Sequence, residues 1–391
     1  MYGSILQFAI DLAMKTCHRA GSSNCQDARR GFMINNFFFG GITPSGFSTQ
    51  LAQIINGKEY YTYILKGGPG TGKSRMMKKI AERFAKDEDV TCFYCSADPD
   101  SLDAVMMHTS KVLVVDGTPP HVSEPRFPGL CQEIVALGQY WDKSILEENR
   151  EKIIKATELN KSMLASASNY NKALGLICDD TYTCAEGFAD RKRIEEAARS
   201  FCESLFENLE KRTGRGIQSI RQLSVMTRNG YTTLQGAAGS CSKLYLLDDE
   251  LFAASGMFID FAAARIMEYG YDTKLSPCLL SQRSISEHLL IDAAGTVLMA
   301  SNPLTRITNA EAVYIDCSVY YDQDRMQPYE KHFAANHALM DTISGASREM
   351  LEDAKRIHDE MERYYISAMD FDALDSVCET ICKEIVQRRN R

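Results

Sequence analysis

The chain has 391 residues, 44 Lys plus Arg against 52 Asp plus Glu, and a formal net charge of −8; this length exceeds one ordinary core and predicts two domains. The acidic balance argues against nucleic acid as a partner, because binding a duplex needs clustered cations, and no stretch approaches the roughly eighteen apolar residues of a membrane span, so a soluble cytoplasmic protein without a membrane partner is expected. Thirteen cysteines are scattered and odd in number; even the Cys92/Cys95 pair falls in an expected strand, so reduced thiols rather than a metal site are expected.

Residues 1–29 read as an N-terminal extension. Their opening, MYGSILQFAIDLAMKTCHRA, lacks a basic leader and is interrupted by Asp11, which fits a short amphipathic helix or a loose segment better than a signal peptide. A first domain is expected over 30–213. Its run FMINNFFFGGI leads into TPSGFST at 43–49, where Thr43, Ser45 and Gly46 are given a structural role only.

Tyr60 to Leu65, aromatic and β-branched, predicts a buried strand; RMMKKIAERFAKD predicts a helix with Met76, Met77, Ile80, Ala81 and Phe84 on one face. Between them residues 67–74 read GGPGTGKS, a phosphate-binding loop of the form GxxxxGK[ST] in the strand-to-helix setting that gives the motif meaning. Gly67, Gly68, Pro69, Gly70, Thr71 and Gly72 would curl so that successive N–H groups face an anion, with the helix N-terminus, including Arg75, behind them. Lys73 is expected on the β- and γ-phosphates of ATP and the Ser74 hydroxyl on Mg²⁺.

VTCFYCS predicts the next strand. Asp98 and Asp100, in ADPDSLD, would then emerge at its carboxyl end near the nucleotide, or simply cap a turn, the role given to Asp103. The strand VLVVD ends in Asp116, the expected partner of Ser74 at the metal. His121 follows on a proline-rich loop, placed to orient a water or touch the γ-phosphate. Because Gly117 follows Asp116, the usual Asp-Glu pair is missing and the group that activates water must lie elsewhere.

The chain also repeats. TPSGFST at 43–49 matches TRNGYTT at 227–233, each after an apolar run and before a strand, which predicts a duplicated domain over 214–391. Extending the match of strand Tyr63-Ile64-Leu65 with Tyr245-Leu246-Leu247 without gaps sets DELFAASG (249–256) against the phosphate loop, with Ser255 at the lysine position, and the separate match of VLVVD (112–116) with VLMAS (297–301) sets Ser301 against Asp116. Asp249 and Glu250 would repel a polyphosphate there, so the second copy is expected to be a pseudo-site. Each half closes with a helical pair, about 142–212 and about 329–388. The first is broken at TYTC and the second restarts behind Asp370; both are expected as packing against the sheets, with a partner-binding arm as the alternative.

FFFGGITPSG, ILKGGPGTGKS, YCSADPDSLD, VVDGTPPH and PGLCQEIVALGQYWD together resemble a family of tandem P-loop ATPases found mainly in Firmicutes, within the P-loop nucleoside triphosphate hydrolase superfamily. The resemblance covers nearly all of the chain after about residue 30 and implies ATP binding and hydrolysis. Members often carry a second GxxxxGK[ST] loop, absent here. The expected fold is therefore α/β: two tandem P-loop NTPase-like domains with mainly parallel sheets, each carrying a long helical hairpin, the second degenerate. The expected function is a Mg²⁺-dependent ATPase with Lys73, Asp116 and His121 at its centre. A small-molecule kinase with Asp98 and Asp100 at the acceptor, and an ATP-switched binding module without turnover, are the alternatives. GTP is disfavoured because no NKxD signature occurs.

Overall fold

The computed structural model describes residues 34–49, 54–55, 59–207, 209–234 and 241–390; the expected extension, 1–29, lies outside them. In chain order come β1 (Ile34–Phe38), the hairpin β2 (Gly40–Thr43) and β3 (Gly46–Thr49), β4 (Tyr61–Lys66), α1 (Lys73–Phe84), β5 (Val90–Tyr94), β6 (Leu102–Met107), β7 (Val112–Asp116), β8 (Gln132–Ala136), the long helix α2 (Arg150–Glu186) and α3 (Arg191–Phe206). The second series is β9 (Gln218–Ile220), the hairpin β10 (Ser224–Thr227) and β11 (Gly230–Thr233), β12 (Lys243–Asp248), α4 (Ala253–Glu268), β13 (Thr273–Pro277), β14 (Ser286–Ile291), β15 (Thr296–Ser301), β16 (Val313–Asp316), the long helix α5 (Glu330–Ser367) and α6 (Phe371–Arg389).

Two six-stranded sheets result, in the orders β1-β5-β6-β7-β4-β8 and β9-β13-β14-β15-β12-β16. In both, the first, fourth and fifth pairings are parallel and the second and third antiparallel. The two halves of the sequence thus share one topology, strand for strand, and the class is α/β with mixed, mostly parallel sheets. The antiparallel member, β6 or β14, is the departure from the reading of the sequence, which left Leu102–Met107 out of the sheet. Its direction follows from the links. Residues 95–101 and 108–111 are too few for the crossover of about a dozen residues that a parallel return requires. The repeated TPSGFST and TRNGYTT segments are matching hairpins: Gly46 and Gly230 turn at φ +123° and +93°. The Thr43 and Thr227 hydroxyls donate to the carbonyls of those glycines at 2.6 and 3.1 Å.

The helices follow their apolar spacing. In α1 the buried residues are Met76, Met77, Ile80, Ala81 and Phe84, a stripe at helical period whose four large side chains contribute roughly 6–12 kcal/mol of burial as an upper bound. Helix α2 runs through TYTC instead of breaking there, because the Thr181 and Thr183 hydroxyls bond back to the carbonyls of Ile177 and Asp179 (2.9 and 2.6 Å) and leave the ladder intact. The stop falls after Glu186, and Asp190 caps α3 by accepting from the Arg193 N–H. Asp370 caps α6 in the same way, through the N–H groups of Asp372 and Ala373.

Two compact units form, each from separated stretches of chain. One combines the described part of Met1–Phe39 with Thr49–Met163 and Glu352–Arg391; the other combines Gly40–Ser48 with Leu164–Leu351. This partition differs from contiguous halves at 30–213 and 214–391. In the first unit α1 is covered by α6, which buries Leu374, Cys378, Ile381 and Ile385. In the second, α3 packs on α4, with Ile194, Phe201 and Leu205 in one core with Phe258, Ile259 and Ala262. In each unit the covering helix lies on the helix that follows β4 or β12, the strand next to one edge of its sheet.

Candidate functional site

The first unit places the loop 67–72 between β4 and α1. Gly70 and Gly72 take left-handed φ of +67° and +73°, which only glycine adopts without strain. The Thr71 hydroxyl closes the loop by donating to the Gly68 carbonyl at 2.9 Å. Gly72 offers α1 no side-chain cap, and the first turn holds no acid, so the positive end of the helix faces the loop without a side-chain anion of its own.

Lys73 folds back over this loop. Its ammonium donates to the carbonyls of Gly67 and Gly68 at 2.7 and 2.8 Å and stands 3.6 Å from Asp116 Oδ2. The Ser74 hydroxyl accepts the Leu102 N–H at 2.9 Å, tying the loop to the start of β6. Arg75 points elsewhere, to Asp375 at 3.4 Å and over the Phe371 ring at 5.7 Å. The Gly70 N–H already binds an anion, donating to Glu362 Oε1 at 3.1 Å. A carboxylate oxygen therefore occupies the loop amide that faces α5.

Asp116 sits where the ladder sets it, at the end of β7 across from Leu65 of β4. Its Oδ1 accepts from the Thr118 N–H and hydroxyl at 2.8 and 2.5 Å. Burial raises its carboxyl above the ordinary carboxylate range, with Lys73 and the two Thr118 donors pulling the other way. His121 is buried, its Nε2 lies 2.9 Å from Asp103 Oδ2, and its ring packs 4.9 Å from Phe39. Asp103 is buried as well and is near enough to Asp116 to add to the upward push on it. The turn role expected of Asp103 is therefore replaced: as the second residue of β6, it joins Lys73, Ser74, Asp116 and His121 in one cluster.

Asp98 and Asp100 lie in the β5–β6 link, which ends at the Leu102 amide bonded to Ser74. Asp98 accepts from the Ser101 hydroxyl at 2.8 Å, and Lys355 stands 3.7 Å away; this is the geometry of a capped turn. Cys92 and Cys95 are unpaired, and burial pushes the Cys92 thiol up to about 12. Among the described residues no three His, Cys, Asp or Glu side chains form a metal cage. That is compatible with Mg²⁺, which takes one or two protein oxygens and completes its shell with water and substrate phosphates. Ser74 and Asp116 are the residues that would supply them.

The second unit departs from this pattern at every chemical position. The link from β12 to α4 is residues 249–252, two fewer than 67–72. It too ends in a left-handed residue, Phe252, at φ +66°. Matched by helix start, Ala253 and not Ser255 stands opposite Lys73; the ungapped register misplaces it because the loop has shortened. Neither residue brings an ammonium. Asp249 is buried, with its carboxyl raised by that burial, and accepts from the Leu251 N–H (3.0 Å), the Ser255 N–H (2.8 Å) and the Tyr321 hydroxyl. This half thus fills the helix end with a carboxylate from its own loop. Glu250 is turned away to Arg306 at 2.5 Å. The ladder sets Ala300 across from Leu247 and Ser301 across from Asp248, so no carboxylate replaces Asp116 at either position.

Asp103 and Glu362 are the site residues that motif reading misses. For Asp103 a signal existed, an acid at the head of the apolar run Ala-Val-Met-Met; for Glu362, 292 positions from Gly70, there was none. Trp141 also belongs here: a Cβ placed on Gly68 would lie 3.2 Å from its ring. Among the described residues no helix is long and apolar enough to cross a membrane. Comparison with protein-family models, curated proteins and solved structures found no match.

Proposed function

We propose that the chain is a Mg²⁺-dependent ATPase of the cytoplasm, of the tandem P-loop kind, with one working site in the first unit and a pseudo-site in the second. The observation that carries the reading is the pairing of Lys73 with Asp116 across a left-handed glycine loop whose Gly70 amide already holds an anion. A half-buried ammonium next to a carboxylate at a helix start, between two parallel strands, is the arrangement phosphoryl transfer needs.

In this reading the loop amides and Lys73 hold the β- and γ-phosphates. Lys73 exchanges its bonds to the Gly67 and Gly68 carbonyls for phosphate oxygens. Ser74 and Asp116 hold Mg²⁺, which when bound neutralises developing charge on the phosphates. His121 takes the proton of the attacking water at an imidazole nitrogen, and Asp103, 2.9 Å from its Nε2, fixes the ring and stabilises it when charged. This fills the role that the missing glutamate after Asp116 leaves open. Specificity for ATP over GTP rests on the missing guanine signature alone.

The test is phosphate release by pure protein with MgATP and no acceptor. Lys73→Ala should lower turnover by roughly 100-fold, and Ser255→Ala should leave it unchanged. Equal losses would sink the one-site scheme. Turnover only with an added hydroxyl acceptor would reassign the protein as a kinase.

A further inference from the structure

We infer that Glu362 is a built-in competitor for the phosphate seat, and that the corner between α5 and α6 is a latch that nucleotide must open. The inference rests on the reading of 67–74 as a nucleotide loop. Its starting point is the Glu362 Oε1 bonded to the Gly70 N–H at 3.1 Å. An inward-facing amide of this loop is a donor for a phosphate oxygen, and one N–H cannot serve a carboxylate and a phosphate at full strength together. A carboxylate beside a polyphosphate is also repulsive in a poorly solvated pocket.

The contact is not an isolated side chain reaching across open space. A Cβ on Gly70 would lie 2.9 Å from the Glu362 carbonyl oxygen and 3.0 Å from Tyr365 Cβ; one on Gly68 would lie 3.2 Å from Trp141; one on Gly72 would lie 2.7 Å from Leu374. The backbone of α5, the start of α6 and Trp141 therefore all pack closely against the loop. Lys73 at the same time spends its donors on the loop's own carbonyls. Both charges of the seat are answered internally.

The corner is anchored by the buried face of α6 and by backbone bonds from the Asp142 N–H to Ala368 and the Asp370 N–H to Tyr140; its surface ion pairs are of a kind that can be released. Arg75 and Lys79 pair with Asp375, and Arg83 with Glu379, all at side chains about half exposed, and such pairs add little each. The second unit shows the permanent version of the device. There the carboxylate on the helix amides, Asp249 to the Ser255 N–H at 2.8 Å, comes from the loop itself and cannot leave without unfolding it. In the first unit the same kind of anion comes from a separate helix. Nucleotide binding would then expel Glu362, lift the α5–α6 corner and turn occupancy of the site into a displacement of the helices.

The experiment is titration of full-length protein with MgATP, comparing wild type, Glu362→Gln and Glu362→Ala, with emission of Trp141, the chain's single tryptophan, as the readout. The isosteric Gln removes charge and keeps the fold; Ala removes the acceptor. Both variants should bind about ten-fold more tightly, and their emission without nucleotide should lie nearer that of saturated wild type. Folded variants that bind no more tightly than wild type overturn the latch while leaving nucleotide binding in place. Failure of all three proteins to bind overturns the nucleotide loop, and the latch with it.

Discussion

Glu287 and His288 are consecutive, fully buried residues of β14 whose titrations are displaced in opposite directions. Burial pushes Glu287 up to about 7 from its ordinary 4.5, against the pull of the Tyr231 hydroxyl that donates to it at 2.7 Å. Burial pushes His288 down to about 3 from 6.5, with its Nε2 2.5 Å from the Ser224 hydroxyl. A carboxyl whose folded value lies above its unfolded one contributes stability below about pH 4.5 and loses it as the pH rises to about 7. An imidazole whose folded value lies below its unfolded one contributes stability above about pH 6.5 and loses it as the pH falls toward 3. Between 4.5 and 6.5 the unfolded pair carries one proton, on the imidazole, and the folded pair also carries one, on the carboxyl. The two slopes therefore cancel in the wild type. Glu287→Gln removes one of them, and stability should then climb with pH by about 1.4 kcal/mol per unit, roughly 3 kcal/mol across the window. His288→Gln should expose the opposite slope. The assay is urea titration at several pH values, read by peptide-resolved hydrogen exchange over β13–β15, because the tryptophan lies in the other unit. A Glu287→Gln protein with the flat wild-type profile, or one that loses stability as the pH rises, would refute the assignment of that proton.

Two further expectations concern the cluster around Lys73. Asp116→Asn keeps the Thr118 bonds but weakens the metal ligand, so Mg²⁺-dependent turnover should fall roughly 100-fold while metal-free nucleotide binding changes little; the reverse order would remove Asp116 from the metal. Asp103→Asn leaves His121 without its anionic partner and should lower kcat by about 10- to 100-fold with KM nearly constant, measured as a full kcat and KM pair. A variant altered only in melting temperature would reduce Asp103 to packing.

The parts that were readable in advance are those whose cause is local. The glycine loop, the buried stripe of α1, Asp116 at the end of its strand and the Asp370 cap each depend on a few neighbouring residues, and each stands where the pattern put it. β6 was missed because Leu-Asp-Ala-Val-Met-Met is short and carries an acid at its second position, so neither alternation nor length marked it as a strand. TYTC suggested a break because threonine competes with helix bonds, but its hydroxyls turn back onto the helix instead. Ser255 was misaligned because a comparison without gaps does not register a loop two residues shorter. The Glu362 contact and the covering of α1 by α6 join residues 292 and 300 positions apart, and no window on the sequence contains them.

That α1 is covered by α6 has a bearing on synthesis. Arg75 and Asp375 are 300 positions apart, so at about 5–20 residues per second the ribosome needs roughly 15–60 s between making the two. Throughout that interval α1 lacks its α6 neighbour, and Arg75, Lys79 and Arg83 lack the carboxylates they pair with. The nascent chain thus carries α1 beside the glycine loop without the helix that later lies against it, a state in which holdase chaperones would find their grip.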